Sequence, residues 1–146
     1  MKKMQTIETE TIRIEVDPMN AIFNFTQHLA TPEQIEAGIV NFPEFVRELF
    51  IPLLNFEELP TAAEVSERAT ALVEILNNEF QDFIGEIRIM IGGAPFLMEP
   101  LSMELRAHGF VPVFAFSKRE SIETIENGVC KKSSVFKHAG LVEMGN

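Results

Sequence analysis

A chain of 146 residues suits one domain, and its hydrophobic content of 46% is sufficient for a buried core. The net charge of -10 argues against broad nucleic-acid binding, which needs a basic surface, so neither DNA nor long RNA is an expected partner. The single Cys130 excludes an intramolecular disulfide and fits a cytoplasmic location, and no apolar run approaches the roughly 20 residues that span a bilayer.

The N-terminal residues 1–18 are charged and alternate in polarity, so they fit either a peripheral extension or an added edge strand. Residues 19–146 are expected to form a single domain. Within it, three apolar runs at 21–26, 86–91 and 110–116 predict buried strands. Such near-continuous apolar strands are typical of a parallel sheet that is covered on both faces.

Helices are predicted between these strands. Thr31 and Thr61 each stand at the N-cap position of a helix, with Gln or Glu three residues later completing a capping-box pattern. The helix that starts after Thr61 carries one apolar face, formed by Val65, Ala69, Leu72, Leu76, Phe80 and Phe83. Shorter helices are expected from 43 to about Pro52 and from Pro95 to 108, and a weak strand over 38–42.

The C-terminal part has the pattern of a β-hairpin. Asn127-Gly128 separates two β-prone stretches, and this dipeptide supplies the positive φ angles of a type I′ turn. The alternation of strands and helices predicts an α/β fold that is Rossmann-like (CARF-like). It has a mostly parallel sheet, flanked by helices, and the C-terminal hairpin.

Ligands of open parallel sheets bind beyond the carboxyl ends of the strands. The residues expected there are Thr26, Gln27 and His28 after the first strand, Gly92 and Gly93 after the second, and Ser117, Lys118 and Arg119 after the third. Each group also has a structural explanation, as a polar turn, a tight turn or ordinary surface charge. Their common position at strand ends favours a binding site.

The charge distribution supports an anion site near the third group. Residues 1–116 carry 7 basic and 18 acidic side chains, whereas residues 117–146 carry 5 basic and 4 acidic side chains. The C-terminal segment is therefore the part of the chain best suited to a small anion. A solvated hairpin that needs charge only for solubility explains the same distribution.

Three stretches resemble motifs of small Csx-type CRISPR-associated proteins, which are Rossmann-like relatives of CARF domains found with type III CRISPR systems. The stretches are 24–34, 89–96 and 114–138, and the most specific is Ser117-Lys118-Arg119 together with the closing SVFKH motif. The resemblance implies a homodimeric ring nuclease that binds and cleaves cyclic oligoadenylate, most simply the tetramer. It also implies that no metal or other cofactor takes part, because the ribose 2′-hydroxyl attacks the adjacent phosphorus.

This reaction assigns roles to the strand-end residues. Lys118, Ser117 and His28 are the expected catalytic residues, because phosphorane charge must be stabilised and a histidine can exchange protons near neutral pH. The expected substrate-binding residues are Thr26, Gln27, Gly92, Gly93, Arg119, Lys137 and His138. Two alternatives remain open, a non-catalytic sensor or sequestering protein for the same ligand and a structural or interaction protein.

Overall fold

The computed structural model describes the backbone of residues 5–8 and 13–16 and the full structure of residues 21–144. The start of the expected single domain at residue 19 lies outside the described residues. The elements in chain order are β1 (Gln5–Glu8), β2 (Arg13–Val16), β3 (Ile22–Phe25), α1 (Pro32–Glu36), β4 (Ile39–Asn41), α2 (Glu44–Leu54), α3 (Ala62–Glu79), β5 (Ile87–Ile91), α4 (Pro95–Ala107), β6 (Phe110–Glu126) and β7 (Val129–Glu143).

Five strands form one mixed sheet in the order β4-β3-β5-β6-β7. The first four are parallel, and β7 runs antiparallel to β6. The α/β class and the C-terminal hairpin are thereby confirmed, whereas the sheet is mixed because the hairpin belongs to it. Strands β1 and β2 pair with each other in a separate two-stranded sheet.

The two faces of the main sheet are covered unequally. Side chains of a strand alternate between the faces, so Phe23 and Phe25 join the large core beneath α2, α3 and α4. The other face holds a small cluster of Ile22, Ile39, Met90 and Val113. Ala30, which precedes the five-residue helix α1, packs against that smaller cluster. The helices thus cover one face far more thoroughly than the other.

Helix α3 forms as its apolar stripe predicts. Thr61 accepts a hydrogen bond from the Glu64 backbone nitrogen, and the stripe is buried from Val65 to Phe80. Helix α2 differs from the prediction, because it passes Pro52 and ends at Leu54. A proline this near a helix C-terminus removes one hydrogen bond, and burial of Phe50 and Leu54 in the core offsets that loss. No described helix is both long and apolar enough to cross a membrane.

Strand β6 does not end at Phe116, as its apolar run predicts, but continues to Glu126. Residues 117–126 pair with residues 129–138 of β7 around the Asn127-Gly128 turn, where both residues have positive φ. We call this two-stranded extension the ribbon. Apart from half-buried Val135 and His138, its residues are exposed, so it has no buried face that would demand apolar residues. The charges that indicated a strand end are therefore compatible with a strand.

Candidate functional site

A cavity of about 540 Å³ lies at the carboxyl edge of the sheet, beside the ends of β3 and β5. In the sheet, β4, which follows β3 in the chain, lies on one side of this position. Strand β6, which follows β5, lies on the other side. Connections that diverge in this way leave a crevice between the two strand ends. The cavity is lined by Thr26, Gln27 and His28, by Gly92 and Gly93, by Thr31 and Gln34 near α1, and by Phe114 and Ala115 of β6.

The loop after β3 is held in place by Asn24, a fully buried side chain. Its Nδ2 donates to the carbonyl oxygen of His28 at 2.7 Å and to Oδ1 of Asn41 at 2.8 Å. Its Oδ1 accepts from the backbone nitrogen of Thr26 at 3.1 Å. One buried amide therefore fixes both ends of the Thr26-Gln27-His28 segment.

Two further polar side chains brace the same loop from outside it. Asn41, in the neighbouring strand β4, accepts a hydrogen bond from the Ala30 backbone nitrogen at 2.9 Å. Arg47, in α2, donates from Nη2 to the carbonyl oxygen of Gln27 at 3.3 Å. The loop is thus a built structure with three polar anchors.

The hydroxyl of Thr26 takes part in this network. Its Oγ1 lies 2.6 Å from Oδ1 of Asn24 and 3.1 Å from the His28 carbonyl oxygen, and both partners are acceptors. Its hydrogen is therefore used within the loop, and donation to a ligand would require that bond to break. His28 differs, because its side chain is exposed and is the one titratable group among the described residues that line the cavity.

The segment after β5 supplies backbone to the cavity. Gly93 has φ of +148°, a conformation that side chains strongly disfavour, whereas a Cβ at Gly92 would make an ordinary 3.6 Å contact with Thr26. Helix α4 follows, and its N-cap Ala94 offers no side-chain hydrogen bond to the first turn. The first helical residue, Pro95, has no N–H, so only the later amides of this helix start can favour an anionic group.

The third predicted group is not part of the described cavity lining. Ser117, Lys118 and Arg119 lie at the base of the ribbon, where they pair with His138, Lys137 and Phe136 respectively. The base of the ribbon begins two residues beyond Ala115, the last residue of β6 in the cavity lining. Of the three predicted groups, the structure therefore brings the two after β3 and β5 together at the cavity.

Strand alternation also divides these residues between the two faces of the ribbon. Ser117, Arg119 and His138 share one face, and Lys118 and Lys137 share the other. Arg119 stacks over the Phe136 ring at 5.2 Å, and Lys137 Nζ lies 3.4 Å from Glu120. Ser117 and Lys118 therefore do not approach one phosphate from the same side.

Most of the positive charge of the ribbon is paired within it. Lys131 lies 2.9 Å from Glu126, and Lys132 lies 3.7 Å from Glu123. These exposed pairs contribute little to stability, but they reduce the local positive potential. Among the described residues Lys118 makes no ion pair, and the Nδ1 of His138 is buried without a hydrogen-bond partner.

Sequence reasoning does not single out Asn24, Asn41 or Arg47. A signal is present for Asn24, because an amide within the apolar run Ile22-Phe23-Asn24-Phe25 must find buried partners. No local pattern distinguishes Asn41 or Arg47 from other polar residues. Within the described part of the chain, no group of three or more histidine, cysteine or acidic side chains has the arrangement of a metal site.

The fold and the cavity define an α/β protein with a small-molecule-sized crevice at the carboxyl edge of a mixed sheet. The chain belongs to the family described as the uncharacterized protein MJ1673 family, whose model matches residues 20–142. Comparison with curated proteins and with solved structures gave no match.

Proposed function

We propose that the protein is a Rossmann-like, cytoplasmic ring nuclease of type III CRISPR defence, and that its cavity at the carboxyl edge binds cyclic oligoadenylate. The observation that carries the binding proposal is the crevice between Thr26–His28 and Gly92–Gly93. Its volume of about 540 Å³ falls within the roughly 300–1,000 Å³ typical of ligand pockets. The resemblance of residues 24–34, 89–96 and 114–138 to Csx-type proteins supports the choice of ligand.

The lining offers complementary groups for one adenosine phosphate unit. Met90 and Phe114 provide apolar surface for a base. The amide of Gln27 is suited to the adenine edge, because an amide can both donate and accept there. The backbone around Gly93 and the start of α4 can donate N–H groups to the phosphate. We therefore assign base recognition to Gln27, Met90 and Phe114, and phosphate recognition to the backbone around Gly93 and the start of α4.

Cleavage follows from alignment of the substrate's own nucleophile. The 2′-oxygen forms a bond to phosphorus, the bond from phosphorus to the 5′-oxygen breaks, and a 2′,3′-cyclic phosphate results. His28 accepts the proton of the 2′-hydroxyl, and His138 supplies a proton to the leaving 5′-oxygen. Preorganised cations stabilise the charge of the phosphorane. Such electrostatic stabilisation is usually the largest single contribution to the rate enhancement.

The ribbon residues divide this task in a homodimer. Ser117 and Arg119 act on the face of the ribbon that they share with His138. Lys118 and Lys137 lie on the opposite face of the ribbon. We assign them to the contacts that the other subunit makes with the cyclic ligand. A two-fold axis supplies two copies of each group to a cyclic ligand.

A non-catalytic sensor or sequestering protein is the second candidate. It is favoured by the single titratable side chain, His28, among the described residues of the lining. Binding needs only the cavity and its backbone donors, whereas turnover also needs the ribbon residues. Detection of products separates the two functions.

The test is to incubate the protein with cyclic tetra- and hexa-adenylate in the presence of EDTA and to follow products by chromatography. We expect linear products with 2′,3′-cyclic phosphate ends. A stable complex without conversion supports the sensor, and the absence of any thermal shift with either ring contradicts both candidates.

Variants locate the activity. His28→Ala is expected to lower turnover by roughly 100-fold or more, the usual contribution of a general base. Lys118→Ala is expected to lower it strongly by removing a cation from the ring. Arg106→Ala is the control, because Arg106 is a cation in the last turn of α4, outside the cavity lining and the ribbon. Equal rates for wild type and Lys118→Ala would refute the assignment of Lys118.

A further inference from the structure

The ribbon exposes apolar side chains on both of its faces. Ile122 and Val129 lie on one face with exposures of 38% and 60%, and Ile125 lies on the other with 79%. Phe136 adds an aromatic ring that is 68% exposed. A two-stranded hairpin alone is marginally stable in water, and grouped exposed apolar side chains are typical of interaction surfaces.

A receiving surface exists on the body of the same chain. A groove of about 460 Å³ lies between the starts of α3 and α4, and its lining includes Pro60, Val65, Phe96 and Pro100. Leu59, also in the lining, is 97% exposed. We call this the α3–α4 groove. Because α4 starts just after β5, the groove lies at the carboxyl edge of the sheet, the edge from which the ribbon projects.

Charge complementarity links the ribbon to the groove. The ribbon carries five basic and three acidic side chains, whereas the whole chain has a net charge of -10. Next to the α3–α4 groove, Glu57, Glu58 and Glu64 line an adjoining cavity. The one cation there, among the described lining residues, is Arg68, which donates to backbone carbonyls of residues 53 and 55 and stacks on Phe56. The surroundings of the groove are therefore acidic, and they complement the ribbon, whose five basic and three acidic side chains leave it a net charge of +2.

We propose that the ribbon is an assembly arm, which seats its apolar tip in the α3–α4 groove of a second copy of this chain. In one chain the ribbon and the groove are both exposed, so the ribbon does not occupy its own groove. Reciprocal exchange of two ribbons makes an isologous interface and closes the assembly at a dimer. Because the exchange is reciprocal, two ribbon tips and two grooves contribute to one interface.

This assembly does not depend on the ligand proposed for the cavity. It is tested without ligand by sedimentation velocity over a range of protein concentrations. We expect a dimer for the wild type and at least a tenfold weaker dimer for both Ile125→Glu and Leu59→Glu. Ile84→Glu is the matched control, because Ile84 is 84% exposed and precedes β5 at the opposite edge of the sheet. It should leave the dimer intact.

A crosslink defines which surfaces meet. Cys130 is exposed and lies opposite Ile125 near the ribbon tip. In a Leu59→Cys variant, a short bismaleimide is expected to join the introduced thiol in the groove of one subunit to Cys130 of the other. The Leu59→Cys/Cys130→Ser variant should give no such crosslink. Because Leu59 and Ile125 are exposed, circular dichroism of their variants should match the wild type.

The proposal is overturned by a monomeric wild type at tens of micromolar, or by a Leu59→Glu variant that dimerises like the wild type. It is also overturned if the wild type is crosslinked through Cys130 alone, because the ribbons would then meet tip to tip. If the wild type forms the dimer but does not bind cyclic oligoadenylate, the proposed function is contradicted and the proposal of an assembly arm is not.

Discussion

Asn24 shows how one buried polar side chain can organise a binding loop. Its amide joins β3, β4 and the loop that carries Thr26 and His28. A buried polar group that loses its partner costs about 1–3 kcal/mol, so the amide and its partners stabilise the fold only as a complete set. The loop geometry and the stability of the sheet therefore depend on the same residue.

We predict that Asn24→Ala lowers the free energy of unfolding by about 2–3 kcal/mol, since it leaves the loop without its central anchor. The measurement is chemical denaturation at equilibrium. Asn55→Ala is the matched control, because Asn55 is exposed and donates one hydrogen bond to Ile51. A loss for Asn24→Ala no larger than that for Asn55→Ala would contradict the role of Asn24.

For single residues, the sequence predicts which side chains reach the cavity better than it predicts their hydrogen-bond partners. The positions of Thr26, His28, Gly92 and Gly93 at one edge follow from strand ends, and the cavity lining includes all four. The bond from Asn24 to Asn41 joins residues 17 apart in different strands. No periodicity reports such a contact, because it depends on which strands become neighbours.

Strand β6 is the element whose length the apolar pattern underestimates. The pattern places the strand boundary at Phe116 because the apolar run ends there, although burial already stops after Phe114 and Phe116 is itself exposed. Beyond that point, hydrogen bonds to β7 and the Asn127-Gly128 turn maintain the strand. Turn chemistry predicts the hairpin, and its continuity with the buried strand follows only from the register.

We predict that the body folds without the ribbon. Residues 119–136 are replaced by Asn-Gly, so that Lys118 and Lys137 flank a two-residue turn. Because no residue of the ribbon belongs to the core clusters, the free energy of unfolding should change by less than about 1 kcal/mol.

This comparison is made by denaturation with Ile125→Glu as the full-length reference, so that dimerisation contributes to neither protein. The native fold of the shortened chain is confirmed by its near-ultraviolet circular dichroism. Failure of the shortened chain to fold would show that the ribbon is part of the folding unit.

For the whole molecule, the net charge of -10 opposes compactness, because like charges on the surface repel one another. The exposed ion pairs of the ribbon act in the opposite direction, but such pairs contribute roughly 0–1 kcal/mol each. Salt weakens both effects. Since acidic side chains outnumber basic ones 22 to 12, repulsion is the larger of the two.

We therefore predict that the thermal midpoint rises when ionic strength increases from roughly 0.01 to 0.15 M, as the Debye length falls from about 30 to 8 Å. Differential scanning calorimetry at constant pH measures the change. A Glu48→Gln/Glu74→Gln variant, which is less acidic at two exposed positions away from the groove, should show a smaller rise. A midpoint that falls with salt would mean that attractive pairs dominate.

The order of the elements and the α/β class could be predicted from the whole sequence, because burial and capping signals are local. Thr31 and Thr61, for example, cap α1 and α3 as expected. The strand order and the unequal covering of the two faces could not be predicted. Both depend on the side of the sheet to which each connection crosses, which local composition does not specify.

Strand β6 connects the cavity and the ribbon without interruption. The same strand lines the cavity at Phe114 and Ala115 and forms one side of the ribbon from residue 117 onwards. Anything that reorients the ribbon therefore acts on the cavity wall through an unbroken backbone. If capture of the ribbon changes the affinity of the cavity for a ligand, the ligand must change the dimer affinity by the same factor. Dimer formation and ligand binding in the cavity are then thermodynamically coupled through this strand.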